Sequence, residues 1–70
     1  MKIPYGSRHE IEASPGDLCK FVVVSGEQFI GIILELTPVP WLRSIYRLKV
    51  LTPRGVREIM TGLIFRMEIA

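Results

Sequence analysis

The sequence predicts an all-β chain folded as a small barrel of five short strands. Five segments rich in β-branched and aromatic residues alternate apolar and polar positions, as strands do. Proline and glycine residues separate these segments, and none of them is a long helix. Five short strands that close on themselves form a small barrel, which we place in residues 15–70.

The first fourteen residues are predicted to form an irregular N-terminal arm outside the barrel. Pro4 and Gly6 interrupt residues 1–14, which are otherwise mostly polar. Two interpretations are open: a mobile terminus, or a segment that becomes ordered on a neighbouring subunit. In the second case the apolar residues of the arm would contact the partner, namely Ile3, Tyr5 and Ile11.

The first two predicted strands supply most of the predicted core. A turn at 15–17 opens the first strand, 18–24, whose core residues need a bulge to reconcile their spacing: Leu18, Phe21 and Val23. The second strand, 29–37, follows a short loop and is the longest. Its even-numbered apolar residues are predicted to face the core: Ile30, Ile32, Leu34 and Leu36. Gly31 within this strand indicates a bend of the barrel.

The opposite face of the second strand is only partly polar. Phe29 and Ile33 alternate there with Gly31 and Glu35. A strand that is apolar on both faces lies either in the middle of a sheet or under a partner. We therefore expect Phe29 and Ile33 to contact another protein.

The loop after the second strand is the first candidate for a contact site. Pro38 and Pro40 end the strand and stiffen the loop. Trp41 either folds back as a lid over the core, which we expect, or anchors a partner together with Leu42 and Arg43. Tryptophan and arginine are enriched in binding hot spots, which favours the second possibility for the loop as a whole.

The last three predicted strands are 45–51, 56–60 and 65–70. In the third strand Tyr46, Leu48 and Val50 share one face, and the basic residues Arg47 and Lys49 share the other. A turn at 52–55, with its proline and glycine, joins the third strand to the fourth. Residues 61–64 break the alternation and are predicted to form a single helical turn.

The composition predicts that part of the apolar surface is an interface. Of the 70 residues 49% are hydrophobic, and the mean hydropathy is +0.33. A domain of this size buries only roughly 60% of the surface of its unfolded chain, so a small barrel does not readily hide so many apolar side chains. Cys19 is the only cysteine, so an intramolecular disulfide is excluded and assembly becomes the expected source of extra stability.

The sequence shows no constellation that indicates catalysis, a metal site or a cofactor. The single histidine, His9, is far from Cys19 in the chain, and no phosphate-binding glycine loop or nucleophile–base motif is present. No segment is long and apolar enough to span a membrane, and the N-terminus does not read as a signal peptide. We therefore expect a non-enzymatic chain without a cofactor or a small-molecule substrate.

The only clustering of charge in the sequence is a group of basic residues between positions 43 and 57. The net charge is +2 and the isoelectric point is near 9.0, which is mildly basic. A phosphate-contacting patch is possible, and so is an ordinary solvated strand face or a surface for an acidic protein. The residues of the possible nucleic-acid patch are Arg47, Lys49, Arg54 and Arg57.

The order of these elements resembles an SH3-like barrel over residues 15–70. The resemblance is carried by the opening turn at 15–17, the strand with Gly31, the 46–51 and 56–59 hairpin, and the turn near Leu63. The chain also resembles short bacteriophage-encoded proteins of this pattern. The spacing of Gly16-Asp17 and Gly31 is similar to the KOW motif, which in its family contacts RNA or protein.

Together these observations predict a structural module that binds other proteins. The resemblance to phage-encoded proteins implies a phage virion component, in the capsid, neck or tail, located in the virion or in the host cytoplasm. It would dock through apolar strand surface and the N-terminal arm or assemble with itself. The alternative is a small nucleic-acid-binding or regulatory barrel that uses the basic residues.

Overall fold

The computed structural model describes all 70 residues. Seven strands form two antiparallel sheets, and turns and short loops connect them. It contains no α-helix, which confirms the predicted all-β class. A single turn of 3-10 helix covers Thr61–Leu63, where the sequence predicts one helical turn. The strands are β1 (Lys2–Tyr5), β2 (His9–Glu12), β3 (Leu18–Val23), β4 (Gln28–Pro38), β5 (Tyr46–Thr52), β6 (Gly55–Met60) and β7 (Ile64–Ile69).

The five strands predicted in residues 15–70 form one sheet in the order β6-β5-β4-β3-β7. All neighbours in this sheet are antiparallel, and short connections join β3 to β4 and β5 to β6. The strands β6 and β7 lie at the two ends of the sheet, and no ladder of hydrogen bonds joins them. The closed form of the predicted barrel is therefore not confirmed.

The prediction of an irregular N-terminal arm is wrong, because residues 2–12 form the hairpin β1–β2. Gly6 has a φ of 63° in the turn, a conformation that glycine adopts at little cost. Pro4 is tolerated because β1 has only one neighbouring strand, so the missing N–H breaks no second ladder. The hairpin packs on the larger sheet through Ile3, which is fully buried.

The core lies on the inner face of the five-stranded sheet. Leu48 and Val50 of β5 are fully buried, as the sequence predicts, and so is Phe21 of β3. The bulge predicted between Leu18 and Phe21 is not present, because Cys19, Phe21 and Val23 alternate inward without interruption. The register of β3 against β7 shifts at Val22/Val23, where the extra residue is Phe65 of β7. The residues of the core cluster are Ile3, Ala13, Cys19, Phe21, Ile33, Leu48, Val50, Ile64 and Met67.

The prediction for the inner face of β4 is wrong over most of the strand. Ile33 is fully buried, whereas three of the four predicted core residues are exposed: Ile30, Ile32 and Leu34. A register shift between Ile33 and Glu35 leaves Leu34 as an extra residue and returns Leu36 to the inner face. Leu18 of β3, also predicted in the core, pairs with Ile32 on the outer face.

Close packing at Gly31 explains which face of β4 is buried. A Cβ atom at Gly31 would lie 2.3 Å from Cγ1 of Val50 and 2.8 Å from the carbonyl oxygen of Leu51. Only glycine fits this inner position, so the odd-numbered residues of this part of β4 turn inward. This close approach of β4 to β5 accounts for a glycine at position 31, whereas the irregularity of β4 lies further along, between Ile33 and Glu35.

Candidate protein-binding surface

Four exposed apolar side chains lie in one row across the outer face of the sheet. Leu18 of β3 is opposite Ile32 of β4, Ile32 is opposite Leu51 of β5, and Leu51 is opposite Val56 of β6. Directly opposed residues project on the same side of a sheet, so the four side chains are neighbours. We call Leu18, Ile32, Leu51 and Val56 the outer apolar row.

Charged residues border the outer apolar row on both sides. On one side Lys49 is opposite both Glu35 and Glu58, and its Nζ lies 3.8 Å from a carboxylate oxygen of Glu35. On the other side Lys20 is opposite Glu68 of β7. An apolar centre with a charged rim is the usual anatomy of a protein–protein interface.

The three residues predicted as contacts in the N-terminal arm belong to the fold of the chain itself. Ile3 has 0% exposure and lies in the core cluster, so it is not available to a partner. Tyr5 and Ile11 are half-buried and pack against the same cluster, and the Tyr5 ring stacks on His9 at 5.3 Å. The hairpin β1–β2 thus stabilises the larger sheet, which a free docking arm would not do.

The two residues predicted as contacts in β4 also face inward. Ile33 is fully buried, because it pairs with Val50 on the inner face. Phe29 is half-buried and stacks on Phe21, with ring centroids 5.0 Å apart. The predicted contact surface of β4 is therefore on the wrong face, and the exposed apolar residues lie on the opposite one.

The loop that follows β4 presents its tryptophan to solvent. Val39 is buried and anchors the loop, because its N–H donates to the carbonyl oxygen of Ile45 at 3.1 Å. Trp41 is 77% exposed, so the expectation that it forms a lid over the core is wrong. Leu42 and Arg43 are exposed beside it, which leaves the loop as a possible second contact site.

Arg57 is held between an aromatic ring and a carboxylate at one end of the sheet. Its guanidinium carbon lies 4.3 Å from the centre of the Phe29 ring. Its two terminal nitrogens donate to the carboxylate of Glu27 at 2.7 and 2.8 Å. These hydrogen bonds lower the pKa of Glu27 and raise that of Arg57. The pair connects β6 to the loop between β3 and β4, a contact that no strand pairing provides.

The four residues of the predicted basic patch do not form one positive surface. Arg57 is paired with Glu27, and Lys49 lies between Glu35 and Glu58. Arg47 is exposed on the outer face, and Arg54 is exposed in the turn between β5 and β6. The nucleic-acid alternative stays a prediction, to be checked by titration with labelled DNA and RNA at several salt concentrations.

The groups that most often carry chemistry are dispersed or buried. No three residues of the types His, Cys, Asp and Glu are grouped so that they could hold a metal ion. Cys19 is fully buried, and burial raises its pKa, with a smaller contribution from the charge of Asp17. A thiol with a raised pKa is a poor nucleophile, because the thiolate is the reactive form.

Comparisons with models of known protein families, with curated proteins and with solved structures find no match. The structure has no helix with the length and hydrophobicity that a membrane crossing requires. The function is therefore inferred from the surface of the chain.

Sequence reasoning missed all four residues of the outer apolar row as a surface. A signal for one of them is present in β5, where Arg47, Lys49 and Leu51 alternate on the same face. Because Leu51 shares a strand face with two basic residues, the sequence pattern predicts that Leu51 is exposed. For Ile32 no such signal exists, because both faces of β4 are apolar in sequence.

Proposed function

We propose that the chain is a non-enzymatic protein-interaction module that docks through the outer apolar row. The observation that carries the proposal is the alignment of four exposed aliphatic side chains across β3, β4, β5 and β6. Solvated outer faces of small antiparallel sheets are normally polar, and a continuous apolar strip with a charged rim is typical of an interface.

The outer apolar row is too small to provide the free energy of stable binding alone. Complete burial of an exposed Leu, Ile or Val side chain contributes about 1.5–3 kcal/mol. The four side chains are already about half covered, so burial of the remainder contributes roughly 1 kcal/mol each, or about 4 kcal/mol in total. Micromolar affinity corresponds to about 8 kcal/mol, so docking requires further contacts beside the row.

The proposal can be tested with a hydrophobic dye and matched serine variants. The double variant Ile32→Ser/Leu51→Ser removes the centre of the row, and Leu63→Ser/Phe65→Ser removes two exposed apolar residues outside it. We expect the native chain and the second variant to enhance dye fluorescence and the first variant to lose most of the enhancement. Circular dichroism would verify that all three chains are folded.

Equal dye binding by all three chains would contradict the proposal, since the row would then be no more accessible than other apolar residues. A native chain that leaves the dye unchanged would contradict it as well, unless the chain is already associated. Sedimentation of the same samples separates these two cases, because a self-associated chain has a higher mass.

Two finer proposals accompany this function. The first is that the five-stranded sheet is an SH3-like barrel left open between β6 and β7; the strand order and the 3-10 turn before β7 support it. The second is that the module is a phage virion component of the capsid, neck or tail, which rests on the resemblance to short phage-encoded proteins. Mass spectrometry of purified particles tests the second, and absence of the chain from them would overturn it.

A further inference from the structure

An open groove lies at the end of the sheet where β4 and β6 begin. The ladder between β4 and β5 reaches only to Ile32 and Leu51, so the first residues of β4, Gln28–Ile30, pair with β3 alone. The turn between β5 and β6 forms the opposite wall of the groove. The volume of the groove is about 560 Å³, which is within the range of binding clefts in proteins.

Two arginines and one glutamate supply the charge of this groove. Arg57 donates two hydrogen bonds to the carboxylate of Glu27, so these two charges compensate each other. Arg54 lines the same groove, is exposed and belongs to no ion pair. With two positive charges against one negative charge, the groove carries a net charge of +1, which belongs to the unpaired guanidinium of Arg54.

The turn that carries Arg54 has a defined conformation. The hydroxyl of Thr52 accepts a hydrogen bond from the Arg54 N–H at 3.1 Å and donates one to the carbonyl oxygen of Gly55 at 2.8 Å. Gly55 has a φ of 110°, which closes the turn at little cost for a glycine. The backbone that presents the unpaired guanidinium is therefore in place before any ligand binds.

The groove continues into the outer apolar row. Val56 lines the groove and is also the last residue of the row, with 59% of its surface exposed. Ile30, which is 40% exposed, lines the groove as well and lies on the same face of β4 as Ile32. A ligand in the groove can therefore extend along the row and add the contacts that the row needs for binding.

We infer that the groove binds a carboxylate of the partner protein, in a segment that also carries aliphatic side chains. The inference rests on the proposed function and specifies the chemistry of the partner. Arg54 donates to the carboxylate, and the aliphatic side chains cover Ile30, Val56 and the rest of the outer apolar row. Arginine suits this contact because its planar guanidinium can form two parallel N–H···O bonds with one carboxylate.

The composition of the groove favours a single carboxylate over a nucleic acid. Binding to a nucleic acid depends on several basic groups that contact successive phosphates, whereas Arg54 is the only unpaired basic group here. The carboxylate of Glu27 would also repel a second phosphate. The aromatic ring of the groove, Phe29, stacks on Phe21 and is covered by Arg57, so it offers no free face to a base.

Binding of synthetic peptides tests the inference. Three labelled peptides share alternating aliphatic and serine residues and differ in one position near an end, which is glutamate, glutamine or lysine. A second set has the variable position at the other end, because the direction of the bound segment is open. Fluorescence anisotropy should show that the native chain binds the better glutamate peptide about 10-fold more tightly than its glutamine counterpart, and the lysine peptide most weakly.

Variants of the groove locate the contact. Arg54→Gln should abolish the preference for glutamate over glutamine, whereas Glu27→Gln removes the negative charge of the groove and should increase it. Arg8→Gln is the matched control and should leave the preference unchanged. Arg8 is likewise exposed in a hairpin turn and outside any ion pair, but this turn lies beside Thr61, beyond the far end of β6.

Equal affinities for the glutamate and glutamine peptides would overturn the inference, and so would a preference that survives Arg54→Gln or decreases in Glu27→Gln. Displacement of the glutamate peptide by single-stranded DNA at physiological salt would overturn it too, because the groove would then select phosphate. A native chain that binds the hydrophobic dye but none of the peptides has the same consequence.

The variant Ile32→Ser/Leu51→Ser separates this inference from the proposed function. If the outer apolar row is the docking surface, this variant binds all peptides more weakly and keeps the preference for glutamate. A loss of affinity in this variant without any preference in the native chain would refute the inference alone. Unchanged affinity in this variant would instead refute docking through the row.

Discussion

Ile32 and Ile33 are adjacent isoleucines in β4 with opposite environments. Ile33 is fully buried in the core cluster, whereas Ile32 is 37% exposed in the outer apolar row. The difference does not arise from their own chemistry. It arises from Gly31, whose close contact with β5 decides which face of the strand turns inward. One face of β4 therefore holds the fold together and the other is free to bind.

The largest expected effect comes from truncating the two isoleucines separately. Ile33→Ala should lower the free energy of unfolding by about 3 kcal/mol, because it leaves a cavity in the core. Ile32→Ala should lower it by about 1 kcal/mol or less, since its side chain is already partly in water. Denaturant titration followed by circular dichroism measures both.

Similar losses for the two variants would show that the faces of β4 are not distinct. If Ile33→Ala does not fold, the milder pair Ile33→Val and Ile32→Val gives the same comparison. In that case the expected loss is about 0.5–1.5 kcal/mol for the inner position and close to zero for the outer one.

A methyl group at Gly31 should have the next largest effect. Gly31→Ala forces its Cβ against Val50 and against the backbone of Leu51, which cannot move aside without disturbing the ladder. Overpacking of this kind costs about 1–3 kcal/mol. Gly62→Ala is the control, because its nearest neighbour, at 3.3 Å, is the flexible end of the Ile45 side chain. Thermal unfolding should show the larger decrease for Gly31→Ala, and the reverse order would contradict the steric explanation of the glycine at this position.

The smallest expected effect is a pH dependence at the end of the sheet. The hydrogen bonds from Arg57 lower the pKa of Glu27 in the folded chain. The stabilisation is therefore complete above the unfolded pKa, which is about 4.3 for a glutamate, and is lost as the pH falls through the folded value. The stability difference between the native chain and Glu27→Gln should be constant at neutral pH and shrink in acid. In an Arg57→Gln background the pH-dependent difference should be much smaller, because only the weaker attraction of Arg54 then lowers the pKa of Glu27.

Much of the larger sheet could be predicted from the sequence. The five strands, the turns between them and the helical turn before β7 all occur close to the predicted positions. The faces of β5 were predictable because Arg47 and Lys49 alternate with Leu48 and Val50, so only one face can be buried. A strand with one charged face specifies its orientation, since reversal would bury the charges.

The wrong predictions concern segments in which no charged face shows which side of the strand is buried. Both faces of β4 are apolar, and the inward face was decided by the absence of a side chain at Gly31, which depends on a neighbouring strand. Pro4 and Gly6 read as signs of an irregular arm, but a hairpin at the margin of a fold accepts both. The outer apolar row depends on the register across four strands, and the local pattern in β5 identifies only Leu51 as exposed.

The buried position of Cys19 makes its thiol a probe of local opening of the sheet. The thiol is the only one in the sequence and has no exposure in the closed structure, between the partners Gly31 of β4 and Ile69 of β7. A thiol reagent can therefore react only when β3 separates locally from its neighbours, so the labelling rate reports how often the centre of the sheet opens. Because a single native residue serves as the probe, binding at the outer apolar row, which contains the adjacent residue Leu18, can be followed through its effect on that rate without adding a label.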